Sequence, residues 1–274
     1  MGLTVAITNM KGGVGKTTLT ANLGHCLSEL HNVKVLLVDV DPQFNLTQYC
    51  VDEKTYEEIL SDDKKGTVHN IFVPTLSEVP KALGGQKKKK ELQVVYNLKN
   101  KLYIIPSSIN LIDFIDQRKS GSERLLSNFL NKIKEEYNYI LIDCPPTSTI
   151  LSRAAYLASD AYLIPMGMDY FSVMGLPLLQ KDINEFTQTY GSELNGLGIV
   201  RTRYLNWSKV AKRHKTVVER FSKTLNIPIF KSALKQRQDV QNALSERKYL
   251  LDYNPNSDAS GDIKEITKEF LEKA

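Results

Sequence analysis

The chain has 274 residues, of which 42% are hydrophobic, and it carries a formal net charge of +5. That length suits one α/β domain with a sizeable core. No apolar run approaches the roughly 18 residues needed to cross a bilayer, and the first residues leave no room for a signal peptide, so we expect a cytoplasmic protein. The three cysteines form no CxxC pair, which argues against a disulfide framework and against a zinc or iron–sulfur site.

Short apolar runs alternate with longer helical patterns along the chain. Runs rich in Val, Ile, Leu and Tyr predict strands at 4–8, 33–38, 102–105, 139–142, 161–165, 197–200 and 227–229. A helical stripe between the first two strands consists of Leu19, Leu23, Cys26, Leu27 and Leu30. This alternation predicts an α/β fold in which residues 1–274 form a single domain, with a doubly wound, mostly parallel sheet and helices on both faces. Ligands bind such sheets at the carboxyl ends of the strands.

A glycine-rich segment, NMKGGVGKTT, occupies residues 9–18 between the first strand and the first helix. Strand, glycine turn and helix N-terminus in this order are typical of a phosphate-binding loop. Glycines let backbone N–H groups surround phosphate oxygens, and the helix N-terminus adds partial positive charge. We expect Lys16 to reach the β- and γ-phosphates and the Thr17 hydroxyl to bind Mg²⁺. The predicted nucleotide-binding residues here are Lys11, Gly12, Gly13, Val14, Gly15, Lys16, Thr17 and Thr18.

Acidic residues follow two further strands. Asp39 and Asp41 end the second strand, and because they are two residues apart on an extended segment they point the same way. Asp143 ends the apolar run 139–142, the Walker B arrangement in which a carboxylate holds Mg²⁺ directly or through water. All three are therefore expected near the metal and the attacking water.

Three motifs together resemble the deviant phosphate-loop ATPases of the ParA/MinD family. They are K-G-G-x-G-K-T at 11–17, D-x-D-P-Q-x-N at 39–45 and D-x-P-P at 143–146. The resemblance implies a P-loop NTPase fold, ATP and ADP as ligands, Mg²⁺ as cofactor and hydrolysis of ATP. It is specific in the first 150 residues and looser afterwards, and position 44, usually Gly in the family, is Phe44.

The resemblance also implies roles for individual residues. Lys11 would cross a dimer interface to the phosphates in the partner subunit, so that Lys11, Lys16 and Asp41 form the catalytic set. Asp39 would belong to the outer Mg²⁺ shell, with Thr17 and Asp143 closer to the metal, and Asp41 would position or activate water. Arg203 lies in a segment similar to the family's adenine-side strand end and is predicted to contact the nucleotide.

Positive charge is concentrated late in the chain. Residues 201–248 contain thirteen lysines and arginines but three acids. At 3.6 residues per turn, residues 206–225 place apolar side chains on one arc and basic ones on another. The basic arc consists of Lys209, Lys212, Arg213, Arg220 and Lys223. A face of one sign favours an anionic partner, and we predict sequence-independent DNA binding; a solvated basic face is the alternative. The Lys87–Lys90 run is interpreted as a surface loop, with a DNA-backbone contact as the alternative.

The functional interpretation is a ParA-type partition ATPase of the short form, without an N-terminal DNA-reading domain. The resemblance implies an ATP-dependent homodimer, non-specific DNA binding on the nucleoid and a centromere-binding ParB-type partner that stimulates hydrolysis. A MinD-like membrane-positioning ATPase is the main alternative, although residues 263–274 are charge-balanced rather than basic. A metabolic ATPase of the same fold is a further alternative.

Overall fold

The computed structural model describes residues 2–73, 92–117, 121–169, 172, 175–192, 194–204 and 209–274. Side chains are described throughout these ranges except at residues 116–117 and 209–215. Eight strands of this part of the chain form one sheet. They are β1 Leu3–Ile7, β2 Val35–Asp39, β3 Tyr96–Lys99, β4 Leu102–Ile105, β5 Tyr139–Asp143, β6 Ala161–Gly167, β7 Asn195–Tyr204 and β8 Ile229–Lys235. Their order is β3-β4-β2-β5-β1-β6-β7-β8. The strand pair β3–β4 is antiparallel and the other pairs are parallel.

Helices connect the strands and cover both faces of the sheet. The described α-helices are α1 Lys16–His31, α2 Asn45–Cys50, α3 Glu53–Ser61, α4 Val68–Phe72, α5 Leu111–Gln117, α6 Leu125–Ile133, α7 Ile150–Leu157, α8 Leu176–Tyr190, α9 Lys209–Leu225, α10 Gln238–Ser245, α11 Leu250–Tyr253 and α12 Asp258–Lys273. One core layer contains apolar residues of α1 and α12, and the other contains those of α4 to α9. The predicted doubly wound, mostly parallel α/β fold is confirmed.

The strand register brings three functional segments to one edge of the sheet. Asp143 at the end of β5 is level with Asp39 at the end of β2 and with Ile7 at the end of β1. The glycine-rich segment follows β1, and Asp41 follows β2. Since parallel strands all end at the same edge, residues that are more than a hundred positions apart in sequence share one site.

Three details of the predicted pattern are wrong. Strand β3 is missed; it is a four-residue antiparallel edge strand whose register shifts within it. The last strand lies at Ile229–Lys235 rather than at 227–229. Leu30 is 51% exposed, whereas the other members of its helical stripe are fully buried, because α1 reaches the surface in its last turns.

Strand β8 is an edge strand, and α12 covers its free backbone groups. The Glu269 carboxylate accepts hydrogen bonds from the backbone N–H groups of Lys231 and Ser232, both at 3.0 Å. Asp262 accepts one from the Lys235 N–H at 3.0 Å. These side chains satisfy donors that would otherwise be available for pairing with another chain.

Candidate active site

A cleft of about 1020 Å³ opens at the carboxyl edge of the sheet. The glycine-rich loop forms its floor, and the segment after β2 forms one wall together with α2 and α3. The opposite wall comes from the ends of β7 and β8 and from α10. Its lining includes Gly12, Gly13, Gly15, Lys16, Thr17, Thr18, Asp41, Phe44, Arg203, Arg237 and Arg247. Predicted phosphate-binding and acidic residues therefore meet in one concave site.

The glycine loop has the backbone geometry expected of a phosphate cradle. Gly13 and Gly15 have φ of 73° and 88°, in the left-handed region that favours glycine. Gly15 caps α1 without a side-chain hydrogen bond, so the first N–H groups of the helix face the cleft. From β7, the Thr202 hydroxyl donates to the Val14 carbonyl at 2.5 Å and Arg203 donates to the Gly13 carbonyl at 2.9 Å. Strand β7 therefore holds the loop in shape.

Lys16 lies beneath this loop with 7% of its surface exposed. Its ammonium donates to the carbonyl oxygens of Asn9 and Lys11, both at 3.2 Å. Burial lowers the pKa of Lys16, while the nearby carboxylates of Asp143 and Asp41 raise it. A cation held among carbonyls at the helix N-terminus is arranged to receive an anion such as phosphate.

Two buried carboxylates lie behind the loop. The Thr17 hydroxyl donates to Asp143 at 2.7 Å, and the Thr20 hydroxyl lies 3.4 Å from the other oxygen of Asp143. Burial raises the pKa of Asp143 to about 7. Asp39 is fully buried, and burial together with the charge of Asp143 raises its pKa to about 8. Two adjacent buried acids with raised pKa values favour a cation between them and the cleft.

The oxygen donors of this site fit Mg²⁺. The described residues contain no group of three or more His, Cys, Asp and Glu that could hold a metal ion. Mg²⁺ needs few protein ligands because it keeps water and binds substrate phosphates. The Thr17 hydroxyl, which donates its proton to Asp143, has its oxygen available to such an ion.

The segment after β2 is a tight turn with one unusual residue. The Phe44 N–H donates to the Asp41 carbonyl at 2.9 Å, and the Gln43 N–H donates to the Asp41 carboxylate at 2.9 Å. Phe44 has φ of 44° and ψ of 34°, the left-handed conformation that glycine adopts easily. Its ring stacks on Tyr56 of α3 with centroids 5.9 Å apart. The turn therefore keeps a glycine-like backbone although it carries an aromatic side chain.

Comparison with known proteins identifies the family. The AAA domain family matches residues 2–196. The chain is 33% identical to the virulence plasmid ParA family protein pGP5-D of Chlamydia psittaci over 98% of this chain and 95% of that protein. The chain belongs to the ParA family. The chain is also 29% identical to the sporulation initiation inhibitor protein Soj of Bacillus subtilis, over 98% of both chains. A plasmid partition protein of Borrelia burgdorferi B31, solved with AMPPNP, superposes with a TM-score of 0.76 at 25% identity over the whole of both chains.

Most predicted nucleotide-binding residues of this ParA-family chain line the cleft, but four of the residues assigned to the site do not: Lys11, Val14, Asp39 and Asp143. Val14 is 2% exposed and contributes only backbone. Asp143 reaches the cleft through Thr17. Asp39 lies farther back, and its two oxygens accept hydrogen bonds from Thr47 and from the Asp41 N–H. Asp39 is therefore separated from the cleft by the residues that it bonds.

Lys11 lies at the mouth of the site with its side chain exposed. A Cβ placed on Gly175, at the start of α8, would be 3.7 Å from the Lys11 Cβ. The Lys11 N–H donates to the Asn9 side chain at 3.0 Å, and Asn9 in turn donates to the Pro165 carbonyl of β6 at 2.8 Å. The backbone of Lys11 is thus fixed through Asn9 to β6, while its side chain is exposed.

One wall of the cleft was not predicted. It is formed by Lys235, Gln236, Arg237, Val240, Gln241 and Leu244. Arg237 pairs with Asp258 at 2.7 Å and with Asp262 at 3.3 Å, so α12 fixes its guanidinium. The predicted end of β8 lay six residues too early. A correct strand end would have directed attention to 235–237, because ligands meet strand ends.

The basic helix is α9, and its described part is amphipathic. Val218 and Phe221 are buried, whereas Arg220 and Lys223 are exposed. Val217 was expected on the apolar arc but is 43% exposed, since it borders the buried stripe. The side chains of Lys209, Lys212 and Arg213 lie outside the described residues, as does the whole Lys87–Lys90 run.

The last helix is part of the core. Ile263, Ile266 and Phe270 on the apolar face of α12 are fully buried, and α12 packs against α1 and β8. No helix in the described ranges is both long and apolar enough to cross a membrane. Because the apolar face of α12 is already occupied, the MinD-like alternative has no free membrane helix at this position.

Proposed function

We propose that this ParA-family chain is a Mg²⁺-dependent ATPase that partitions DNA. The observation that carries the proposal is that Lys16, Asp41 and Thr17, whose hydroxyl donates to buried Asp143, line a single cleft. Catalysis of phosphoryl transfer depends mainly on positioning and on charge stabilisation, and these residue types supply both.

Within the site, each group has a separate task. The backbone N–H groups from Gly13 to Thr18 hold the phosphates, and Lys16 balances charge on the β- and γ-phosphates. Thr17 and Asp143 would hold Mg²⁺, which when bound supplies neutralising charge for the phosphate oxygens, and Asp39 contributes negative charge from behind. The Asp41 carboxylate lines the cleft and orients the attacking water.

ATP is proposed to join two copies of the chain through Lys11. Its exposed side chain next to the glycine loop supports a contact with phosphates in a second copy. A lysine that completes another subunit's site makes dimerisation depend on the triphosphate. ADP lacks the γ-phosphate, so the dimer would separate after hydrolysis.

The dimer is proposed to bind DNA without sequence preference on the nucleoid through α9. The exposed Arg220 and Lys223 support this, together with the basic excess of residues 201–248. A centromere-binding ParB-type partner would stimulate hydrolysis and release the chain. The similarity to a plasmid partition protein of Borrelia burgdorferi and to a virulence plasmid ParA family protein of Chlamydia psittaci supports this cycle.

Nucleotide binding and dimerisation are tested with two lysine variants. Lys16→Ala is expected to abolish ATP binding in calorimetry. Lys11→Ala is expected to bind ATP but to stay monomeric by light scattering. Retained ATP affinity in the first variant would place the nucleotide elsewhere, and ATP-dependent dimers in the second would remove the role of Lys11 in the partner site.

DNA binding is tested by neutralising Arg220 and Lys223 to Gln, with Lys181→Gln on α8 as an exposed control. Each lost phosphate contact should lower the slope of log affinity against log salt by about 0.9. The control should leave the slope unchanged. Equal slopes in all three proteins would mean that α9 does not contact DNA.

A further inference from the structure

A second buried network lies directly behind the turn that carries Asp41. The Ser107 hydroxyl donates to the Asp41 carbonyl at 2.8 Å, and the Ser107 N–H donates to the Thr47 hydroxyl oxygen at 2.8 Å. The Thr47 hydroxyl donates to Asp39 at 2.7 Å. Ser107, Thr47 and Asp39 are all fully buried. One connected set of hydrogen bonds therefore joins β4 to both ends of the turn.

Ser107 is held from outside the turn. It follows β4, and its carbonyl accepts a hydrogen bond from the Tyr56 hydroxyl of α3 at 3.0 Å. On either side, the Pro106 carbonyl accepts from the Val68 N–H of α4 at 2.8 Å, and Ser108 lies 3.3 Å from the Thr67 hydroxyl. Anchored by three elements, the Ser107 hydroxyl is a fixed point for the peptide of Asp41.

The turn is also tied to the sheet at Val40, whose N–H donates to the Asp143 carbonyl of β5 at 3.2 Å. Its internal bonds, from the N–H groups of Gln43 and Phe44 to Asp41, set its shape but move with it. Asp39 holds its two ends through the Asp41 N–H at 3.1 Å and the Thr47 N–H at 2.8 Å. Ser107 thus adds a further bond from a separate strand, and this bond is made to Asp41 itself.

We propose that Ser107 is a positioning residue for Asp41, with Thr47 as the hydroxyl that connects Ser107 to Asp39. This inference rests on the proposed ATPase function, in which Asp41 orients water. Deleting either hydroxyl lets the turn shift while the glycine loop, Lys16 and Thr17 keep their places. The expected consequence is slower hydrolysis with intact nucleotide binding, because hydrolysis depends on the position of Asp41 and binding depends on the loop.

The experiment compares Ser107→Ala with Ser28→Ala. Ser28 is also buried and donates to a backbone carbonyl, that of His25 at 3.0 Å, but lies on α1 away from the cleft. Single-turnover hydrolysis in Ser107→Ala is expected to slow by about tenfold, since a displacement of about 1 Å costs up to about a hundredfold. The dissociation constant for ATP should stay within about twofold, in line with an effect on the chemical step alone.

A hydroxyl-specific pair tests Thr47. Thr47→Val keeps the shape of the side chain and removes the hydroxyl, and is expected to slow hydrolysis as Ser107→Ala does. Thr47→Ser should restore most of the rate lost in Thr47→Val. If Val and Ser variants hydrolyse ATP equally fast, the Thr47 hydroxyl does not connect Ser107 to Asp39 and the inference is wrong.

Hydrogen exchange separates this inference from the proposed function. Amide exchange over residues 41–47 should accelerate in nucleotide-free Ser107→Ala and remain unchanged in Ser28→Ala, whether or not the chain hydrolyses ATP. Unchanged exchange, or an unchanged rate of hydrolysis in Ser107→Ala, overturns the positioning role. A wild-type chain that binds no ATP while exchange still accelerates overturns the proposed ATPase instead.

Discussion

The nucleotide-free protein is expected to lose stability as pH rises from 6.5 to 8, because Asp39 and Asp143 are buried as acids. Burial raises the pKa of Asp143 to about 7, and burial with the charge of Asp143 raises that of Asp39 to about 8, against 3.8 in the unfolded chain. In this window the folded state therefore holds protons that the unfolded state has already released. Stability falls with pH wherever the folded state binds more protons.

The magnitude follows from the number of protons. Between pH 6.5 and 8, Asp39 and Asp143 together hold on average about one proton more in the folded state than in the unfolded chain. One such proton changes the free energy of unfolding by about 1.4 kcal/mol per pH unit. Over about one and a half pH units, the free energy of unfolding should therefore fall by about 2 kcal/mol. The pH window starts at 6.5 because His25 titrates below it. Burial lowers the pKa of His25 from 6.5 to about 4, and this shift makes stability rise with pH below 6.5. The lowered pKa of Lys16 acts against the fall wherever Lys16 loses its proton.

Urea unfolding in EDTA, without nucleotide, measures the effect at pH 6.5, 7 and 8. Asp39→Asn removes one of the two acids and should reduce the fall to less than about 1 kcal/mol. Asp113→Asn changes the same charge at an exposed position on α5 and should leave the fall unchanged. Stability that is constant or rises over this window, or an equal slope in Asp39→Asn, would refute the assignment of protonated buried acids behind the loop.

Further variants at four positions test local features of the fold by urea unfolding. Phe44→Ala should destabilise the protein by about 1 kcal/mol more than Phe44→Gly, because Ala keeps the left-handed strain and glycine relieves it; equal values would contradict strain at this turn. Gly198→Ala should lower the free energy of unfolding by about 3 kcal/mol, since φ is 150° and a Cβ would lie 2.8 Å from a backbone oxygen. Gly261→Ala is the contrasting case: a Cβ there meets open space on α12, so the variant should be more stable by about 0.5–1 kcal/mol. Glu269→Ala should cost about 2 kcal/mol and promote concentration-dependent association by freeing the edge of β8; a strictly monomeric, equally stable variant would show that α12 does not protect this edge.

Much of the floor of the site could be predicted because its chemistry is local in sequence. A strand, two glycines in the left-handed region and a lysine at a helix N-terminus are contiguous from Leu3 to Thr18. Asp41 and Asp143 could be predicted as site residues from their positions at the carboxyl ends of buried strands, because these ends meet at the same edge of the sheet. The glycine-rich motif and the positions of the strand ends were together enough to predict that these groups share one site.

The side walls could not be predicted because their signals are weak or distant. Strand β8 mixes buried, half-exposed and exposed residues and contains Lys231 and Ser232, so its apolar signal is weaker than that of the run just before it. Strand β3 is short and partly exposed. The contact of Ser107 with Asp41 joins positions 66 residues apart, and no spacing rule connects a serine after one strand with an aspartate after another.

The site gathers features that each cost stability without a ligand. Burial raises the pKa values of both Asp39 and Asp143. Buried Lys16 donates to carbonyl oxygens of its own loop, and Phe44 has a backbone conformation that favours glycine. Departures from local preference are expected at functional sites, where a ligand or the surrounding structure compensates for them. Phosphate oxygens would give Lys16 a better partner, and a divalent cation would let Asp143 ionise. A nucleotide with Mg²⁺ should therefore stabilise this fold by more than contact area alone suggests, and most strongly at the upper end of the pH window, where the unliganded acids cost the most.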